Sequence, residues 1–281
     1  MSVRRGIGEP SNYFARVLIF VRLSLVQLVR APSHSRRAEA ARCLSRRTMW
    51  LAGIGAITIV ALMVALDARE IALMPPRGSG GLWSVRILTD FGQSSYLLWS
   101  LAAILFVVAL TAPRLQGTSR LVLVSFGARI QFVFFAVLVP VLAGEAIKYI
   151  VGRGRPFVGG AANAFKFAHF AGTEAYASFP SGHAIASVAL AFAVSVLWPR
   201  ARVAMIIYAA LIVASRLVLL AHHPSDVVAG ALIGVVGAML VRYWFAARHL
   251  AFTIRRDGTI EQLVGPAPSH LKRVAREAFA S

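Results

Sequence analysis

Acidic side chains are scarce in this chain: 11 Asp and Glu stand against 30 Lys and Arg among 281 residues. Charge of either sign is sparse, at 15%, while 58% of residues are hydrophobic and the mean hydropathy is +0.70. A soluble domain of this length needs a more charged surface, so the composition points to a polytopic membrane protein. A single cysteine, Cys43, excludes an intrachain disulfide framework. It lies in a basic segment and reads as an incidental free thiol rather than a palmitoylation site. No carboxylate cluster is present to hold a metal ion, and neither a metal nor another cofactor is expected. Internal repeats and low-complexity tracts are missing too.

The net charge of +19 raises nucleic acid as a partner. Its distribution argues otherwise. Ten arginines precede residue 48, and seven basic residues run from Arg242 onward, outside the long apolar stretches. Such flanks suit cytoplasmic loops and anionic lipid surfaces. No basic patch with interleaved aromatics sits on a soluble domain. Membrane lipids, not nucleic acid, are the expected partners.

In residues 13–30, Arg16, Arg22, Gln27 and Arg30 fall on one arc at about 100° per residue, with apolar residues opposite. This predicts an amphipathic helix lying in the membrane interface. A cleaved signal peptide is the competing reading, but Arg16 and Arg22 interrupt any apolar core it would need. Residues 31–48, rich in Arg and Ser, read as a cytosolic linker. Six apolar runs follow, at 50–66, 96–111, 121–147, 184–198, 203–221 and 227–245, with Arg129 near the entry of the third. Pro75-Pro76 and the Gly-Ser run after them mark the 67–95 connection as an excursion outside the bilayer. The predicted fold class is all-α: a polytopic membrane protein of six transmembrane helices preceded by an amphipathic interfacial helix. Its divisions are a basic N-terminal segment (1–48), a membrane domain (49–245) and a basic tail (246–281) with weak helical character around 268–279. With six spans, both termini share a side with the 112–120 and 199–202 loops, and that side collects 21 of the 30 Lys and Arg. The termini are therefore predicted to be cytoplasmic.

Against this apolar background three polar clusters stand at the edges of spans: Lys148-x6-Arg155-Pro156, Pro180-Ser181-Gly182-His183, and Ser215-Arg216-x5-His222-x3-Asp226. Lys148 ends the third run, His183 opens the fourth, Arg216 and His222 close the fifth, and Asp226 opens the sixth. Alternating spans bring all of these ends to one face, away from the cytoplasm. An arginine about one turn inside a span end is costly and normally faces a partner or a polar cavity. The trio resembles the signature of the type-2 phosphatidic acid phosphatase superfamily, complete at the signature positions and in the same order, over roughly residues 96–245. The resemblance implies a metal-independent phosphatase acting on a phosphomonoester or diphosphate through a phosphohistidine.

The residue chemistry agrees. A phosphoryl group in transfer spreads charge over its equatorial oxygens, so catalysis is mostly positioning and electrostatic stabilisation. Arg155 and Arg216 offer planar forks, Lys148 a point charge, and Ser181 and Gly182 a helix N-terminus. His222 is the candidate nucleophile, because Asp226 four residues on is expected to bond its other ring nitrogen. Pro224 between them fits the first position of a helix. His183 is the candidate acid and base for the leaving oxygen and the attacking water. Lys148 alone would read as a snorkelling anchor and a single histidine as a capping residue; six such coincidences at matched spacing do not. His223 is read as lining and Glu145 as a partner of a cation. Lys166, His169 and Glu174 are read as solvated loop, and Trp83, Trp99 and Trp198 as interface-belt residues. The function this predicts is a lipid phosphatase at the periplasmic face of a bacterial inner membrane. Candidate substrates are undecaprenyl diphosphate, phosphatidylglycerophosphate, phosphatidate and lipid A phosphates. A lipid phosphotransferase with the same phosphohistidine and a non-catalytic phosphate-lipid binder or transporter are the alternatives.

Overall fold

The computed structural model describes residues 12–74, 80–158 and 163–280. In chain order these residues form α1 (Tyr13–Val29), α2 (Arg37–Ala65), α3 (Asp67–Leu73), α4 (Trp83–Asp90), α5 (Ser94–Thr111), α6 (Gly117–Val151) and α7 (Gly182–Leu197). They are followed by α8 (Arg202–Val218), α9 (Pro224–Ala246), a hairpin of β1 (Phe252–Ile254) and β2 (Ile260–Gln262), and α10 (Pro268–Ala280). Among the described residues, five helices are long and apolar enough to cross a bilayer: α2, α5, α6, α9, and α8 with the turn before it. The remaining predicted span, the fourth, is α7, with 16 residues. At 1.5 Å per residue that is about 24 Å, short of a hydrocarbon core of roughly 30 Å. Ser181-Gly182 sets its start and Trp198-Pro199 its end.

Helix α7 is the hub of the bundle, packed against α6, α8 and α9. Small residues make that possible. Ala184, Ala189 and Ala193 are fully buried on α7; Ala184 faces Gly230 and Ala189 faces Gly234 on α9. A Cβ at Gly230 would stand 2.5 Å from the Ser181 carbonyl oxygen, and one at Gly234 would stand 2.6 Å from that of Ile185. The two backbones therefore run in contact, as small residues allow when no water can drive helices together. A Cβ at Gly237 would likewise stand 2.5 Å from the Pro140 Cβ, where α6 carries a proline inside the helix.

Two differences from the sequence reading have clear causes. Residues 37–48, expected to be linker, continue α2 as helix; Ala, Arg, Leu and Glu dominate them, and these are strong helix formers. The segment after 246, expected to be a basic tail, holds the β1–β2 hairpin with Phe252 opposite Gln262. Asp257 and Gly258 make its turn, Gly258 adopting φ +79°. Phe252 is fully buried, edge-on to Phe132 at 4.7 Å between centroids. The hairpin's far side also explains Arg129: its guanidinium donates to the Ser125 carbonyl at 2.8 Å and to the Leu263 carbonyl at 2.8 Å. Residues Tyr13–Val29 form helix α1, with Asn12 accepting from Phe14 N at its start. It is tied to α9 by Trp244 Nε1 donating to the Leu28 carbonyl at 2.9 Å. Pro75, Pro76 and the Gly78-Ser79 half of the Gly-Ser run lie outside the described residues; α3 lies before them, and α4 follows after Gly80–Leu82.

The α7–α9 contact leaves no room for a methyl group. Gly234→Ala is expected to cost ~1–3 kcal/mol, read as a lower thermal midpoint in detergent. Gly53→Ala, with nothing within 4 Å of its Cβ, should lower it not at all. Equal midpoints for Gly234→Ala and wild type would refute the close-packing account.

Candidate active site

The site forms where three helix ends meet. Helix α6 stops at Gly152, whose left-handed φ of +55° lets the chain reverse; a Cβ there would strike the Ala168 carbonyl oxygen at 1.8 Å. The reversal aims the next residues, Arg153 and Arg155, back over the bundle. Helix α7 starts at Ser181, whose backbone N–H donates to the Asp226 carbonyl at 3.0 Å and so joins the second cluster to the third. Helix α9 starts with Pro224 in its first turn, and Asp226 Oδ2 accepts from His223 N at 2.9 Å, closing the N-terminal orphan donors.

All eight residues singled out from the sequence gather here. Lys148, Arg155 and Arg216 act electrostatically on both His183 and His222. Lys148 Nζ also lies 3.6 Å from where a Gly182 Cβ would stand. Arg216 is buried at the end of α8 and donates from Nη1 to Thr89 Oγ1 at 2.8 Å, a partner reached from α4. Lys148 pairs with Glu145 at 2.5 Å, in keeping with Glu145 as a cation's partner. Arg155 pairs with Glu174 at 3.5 Å and also donates to its carbonyl at 3.0 Å. Glu174, expected to be merely solvated, is thus a rim counter-ion. Lys166 ties the loop to itself through the Val158 carbonyl, and His169 ties it to the end of α6 through the Ile150 carbonyl. Ser181 Oγ is buried and has no partner among the described residues. Among those residues no group of three His, Cys, Asp or Glu is arranged to hold a metal ion.

One expected contact is replaced. Asp226 does not bond His222. The His222 Nδ1 faces the Ser178 carbonyl at 2.7 Å. A carbonyl only accepts, so Nδ1 carries the proton and Nε2 keeps its lone pair. The reason is geometric. His222 precedes the helix cap at His223, so no helical turn separates it from Asp226, and the four-residue spacing does not bring the side chains together. Asp226 instead accepts from Ser178 Oγ at 2.6 Å and from Arg153 Nη1 at 2.5 Å. It therefore acts on His222 at one remove, by holding the residue whose carbonyl holds the ring. Burial, then the charges of Arg216 and Arg155, press the His222 pKa well below the usual imidazole value, while the Ser178 carbonyl works in the opposite direction. Burial and the neighbouring cations thus favour the neutral ring.

Arg153 went unrecognised in the sequence. It is fully buried, bonding Asp226, Ser225 Oγ at 2.7 Å, the Ala164 carbonyl and Asp67 at 2.7 Å. A charged residue in a Gly-Arg-Gly-Arg run reads as solvated loop, and only its place between the two signature cations hinted otherwise. His223, read as lining, is fully buried, and its two ring nitrogens have no partner among the described residues.

Beside this network lies Glu70 on α3, buried with neither carboxylate oxygen partnered among the described residues. Burial first, then the charges of Asp67 and Asp226, push its pKa from 4.5 up to about 8. A raised carboxyl pKa means that the folded protein holds a proton which the unfolded chain releases above 4.5, so this group favours folding less as pH climbs to about 8. Glu70→Gln should match wild type in thermal stability at acid pH and exceed it progressively across that window. A constant difference at every pH would show that Glu70 is ionised in the fold.

The comparisons with known proteins agree with this geometry. The PAP2 superfamily profile matches residues 130–250, which contain all three clusters. The chain is 35% identical over 177 residues to a lipid A 1-phosphatase of Rhizobium johnstonii, covering 61% of this chain and 71% of the relative. It is 33% identical over 177 residues to a lipid A 1-phosphatase of Rhizobium etli, covering 61% and 75%. No solved structure matches it significantly. With its clusters on adjoining helix ends and relatives matched over most of their length, the chain belongs to the PAP2 superfamily and is a phosphatase of the type-2 phosphatidic acid phosphatase kind.

Proposed function

We propose that the protein is a six-span lipid phosphatase that removes a phosphate through a phosphohistidine at His222, with lipid A 1-phosphate as its substrate. The observation that carries the mechanism is the meeting of three cations with a neutral histidine whose Nδ1 is already committed to Ser178. In this reading Lys148, Arg155 and Arg216 hold the phosphate oxygens, with Ser181 Oγ and the start of α7 completing the cradle. His222 Nε2 attacks phosphorus, the bond to the lipid oxygen breaks, and His183 donates a proton to that oxygen. A water molecule, losing its proton to His183, then attacks the phosphohistidine; inorganic phosphate leaves and His222 is restored. The choice of lipid A rests on the printed activity of the two relatives.

The short α7 counts as the sixth span in this proposal, since it is apolar and enclosed by three longer helices. Both termini then face the cytoplasm by the charge asymmetry, the site opens at the periplasmic face of a bacterial inner membrane, and α1 lies along the cytoplasmic interface. The same asymmetry supports the division into a basic N-terminal segment, a membrane domain and a basic tail.

The test is a panel of lipid A, undecaprenyl diphosphate, phosphatidylglycerophosphate and phosphatidate, offered to purified protein in detergent with EDTA. Phosphate should leave the 1-position of lipid A fastest, and His222→Ala should lose at least ~10³-fold in rate while remaining folded. Full activity in His222→Ala would overturn the mechanism, and indifference to lipid A would overturn the substrate. The pH profile should be bell-shaped. Activity should rise as pH climbs through the lowered His222 value and fall when His183 can no longer donate. Activity still rising beyond about pH 10 would contradict these roles.

A further inference from the structure

The three signature clusters all lie after residue 147, yet the buried network beneath them is anchored from the first outer connection. Asp67, the first residue of α3, is fully buried. Its Oδ2 accepts from Arg153 Nη2 at 2.7 Å and from Ser225 Oγ at 2.5 Å, and its Oδ1 accepts from Ser225 N at 3.1 Å. One carboxylate thus fastens the guanidinium below the cradle and the first turn of α9 together. Arg153 turns its other terminal nitrogen to Asp226, Asp226 holds Ser178 Oγ, and the Ser178 carbonyl holds His222 Nδ1. Every link is a hydrogen bond between buried groups, and no water-exposed side chain interrupts it.

We propose that Asp67 is a positioning residue for the nucleophile: it fixes Arg153, and through Asp226 and Ser178 it holds His222 as the Nδ1-protonated tautomer with Nε2 toward phosphorus. The inference rests on the phosphohistidine reading. Its physical basis is the division of one planar fork between two carboxylates. With Asp67 on one arm, Arg153 meets Asp226 from a single direction. Without that charge the fork turns wholly to Asp226 and drags the carboxylate from Ser178. The Asn amide in Asp67→Asn would also set a donor against a donor. Misplacement of a reacting group by about 1 Å costs on the order of 10²-fold in rate, so the effect should fall on turnover rather than on substrate binding, which the cradle supplies separately.

The experiment pairs kinetics with ring-nitrogen NMR of full-length protein labelled with ¹⁵N-histidine in detergent, the His222 signals assigned by their loss in His222→Ala. In wild type the His222 pair should show one protonated and one pyridine-like nitrogen. In Asp67→Asn that pair should move toward averaged tautomers, with kcat down ~10–100-fold and KM within about threefold. Ser225→Ala removes one link and neither charge, and serves if Asp67→Asn does not fold; it should lower kcat by about 3–10-fold with the same NMR trend. Wild-type kcat together with unshifted His222 signals in the variant that folds would overturn the proposal, as would a loss expressed only in KM. If wild type releases phosphate from no lipid, the functional reading fails, and the NMR comparison still decides whether Asp67 sets the tautomer of His222.

Discussion

The contact between the backbones of α7 and α9 is the constraint on which the site depends. Gly230 and Gly234 let the helices touch, and the touch ends in the hydrogen bond from Ser181 N to the Asp226 carbonyl. That bond joins the helix start bearing His183 to the helix start bearing Asp226. Residues more than forty positions apart in sequence are thereby joined in one site. A side chain at Gly234 would push the clusters apart from a distance, and one at Gly230 would strike the Ser181 carbonyl itself.

Electrostatics sets the second condition. The cations of the three clusters and Arg153 beneath them repel one another, and carboxylates in two layers offset that repulsion. Glu145 and Glu174 meet Lys148 and Arg155 at the rim. Asp67 and Asp226 meet Arg153 beneath, where nothing is exposed to water. A buried charge left unpaired is costly, so the lower layer is fully bonded. The upper layer is half-exposed and exchangeable. The cation that a phosphate would displace from its carboxylate is therefore different in kind from the cation that must never move.

The signature clusters were legible because span alternation turns distant sequence positions into neighbours, and because charge at the edge of an apolar run is expensive enough to demand a reason. The fate of Asp226 was not legible. Its four-residue spacing from His222 suggests contact only inside a continuous helix, and the cap at His223 falls between them. Arg153 and Asp67 were hidden because each borders a glycine or a span end, where a charge ordinarily meets solvent. The α2 extension was written in the Ala, Arg and Leu of 37–48 but masked by the arginine count, and the hairpin by the polar company around Phe252 and Ile254. In each case the misleading signal was local polarity, and long-range packing decided the outcome.

The rim glutamates have a bearing on selectivity within the proposed reading. A membrane surface is crowded with phosphodiester headgroups, each with a single phosphate charge, and an open cluster of cations would fill with them. Glu145 and Glu174 act as resident competitors: an incoming anion gains the cations only by dismissing carboxylates already paired with them. A terminal phosphate group approaching a double charge can make that exchange favourable, whereas a diester surrenders about as much attraction as it gains. The pairs also keep Lys148 and Arg155 extended in place while the site is empty, so the arriving group finds its partners already aimed. The bulk lipid is kept out by a charge threshold rather than by shape.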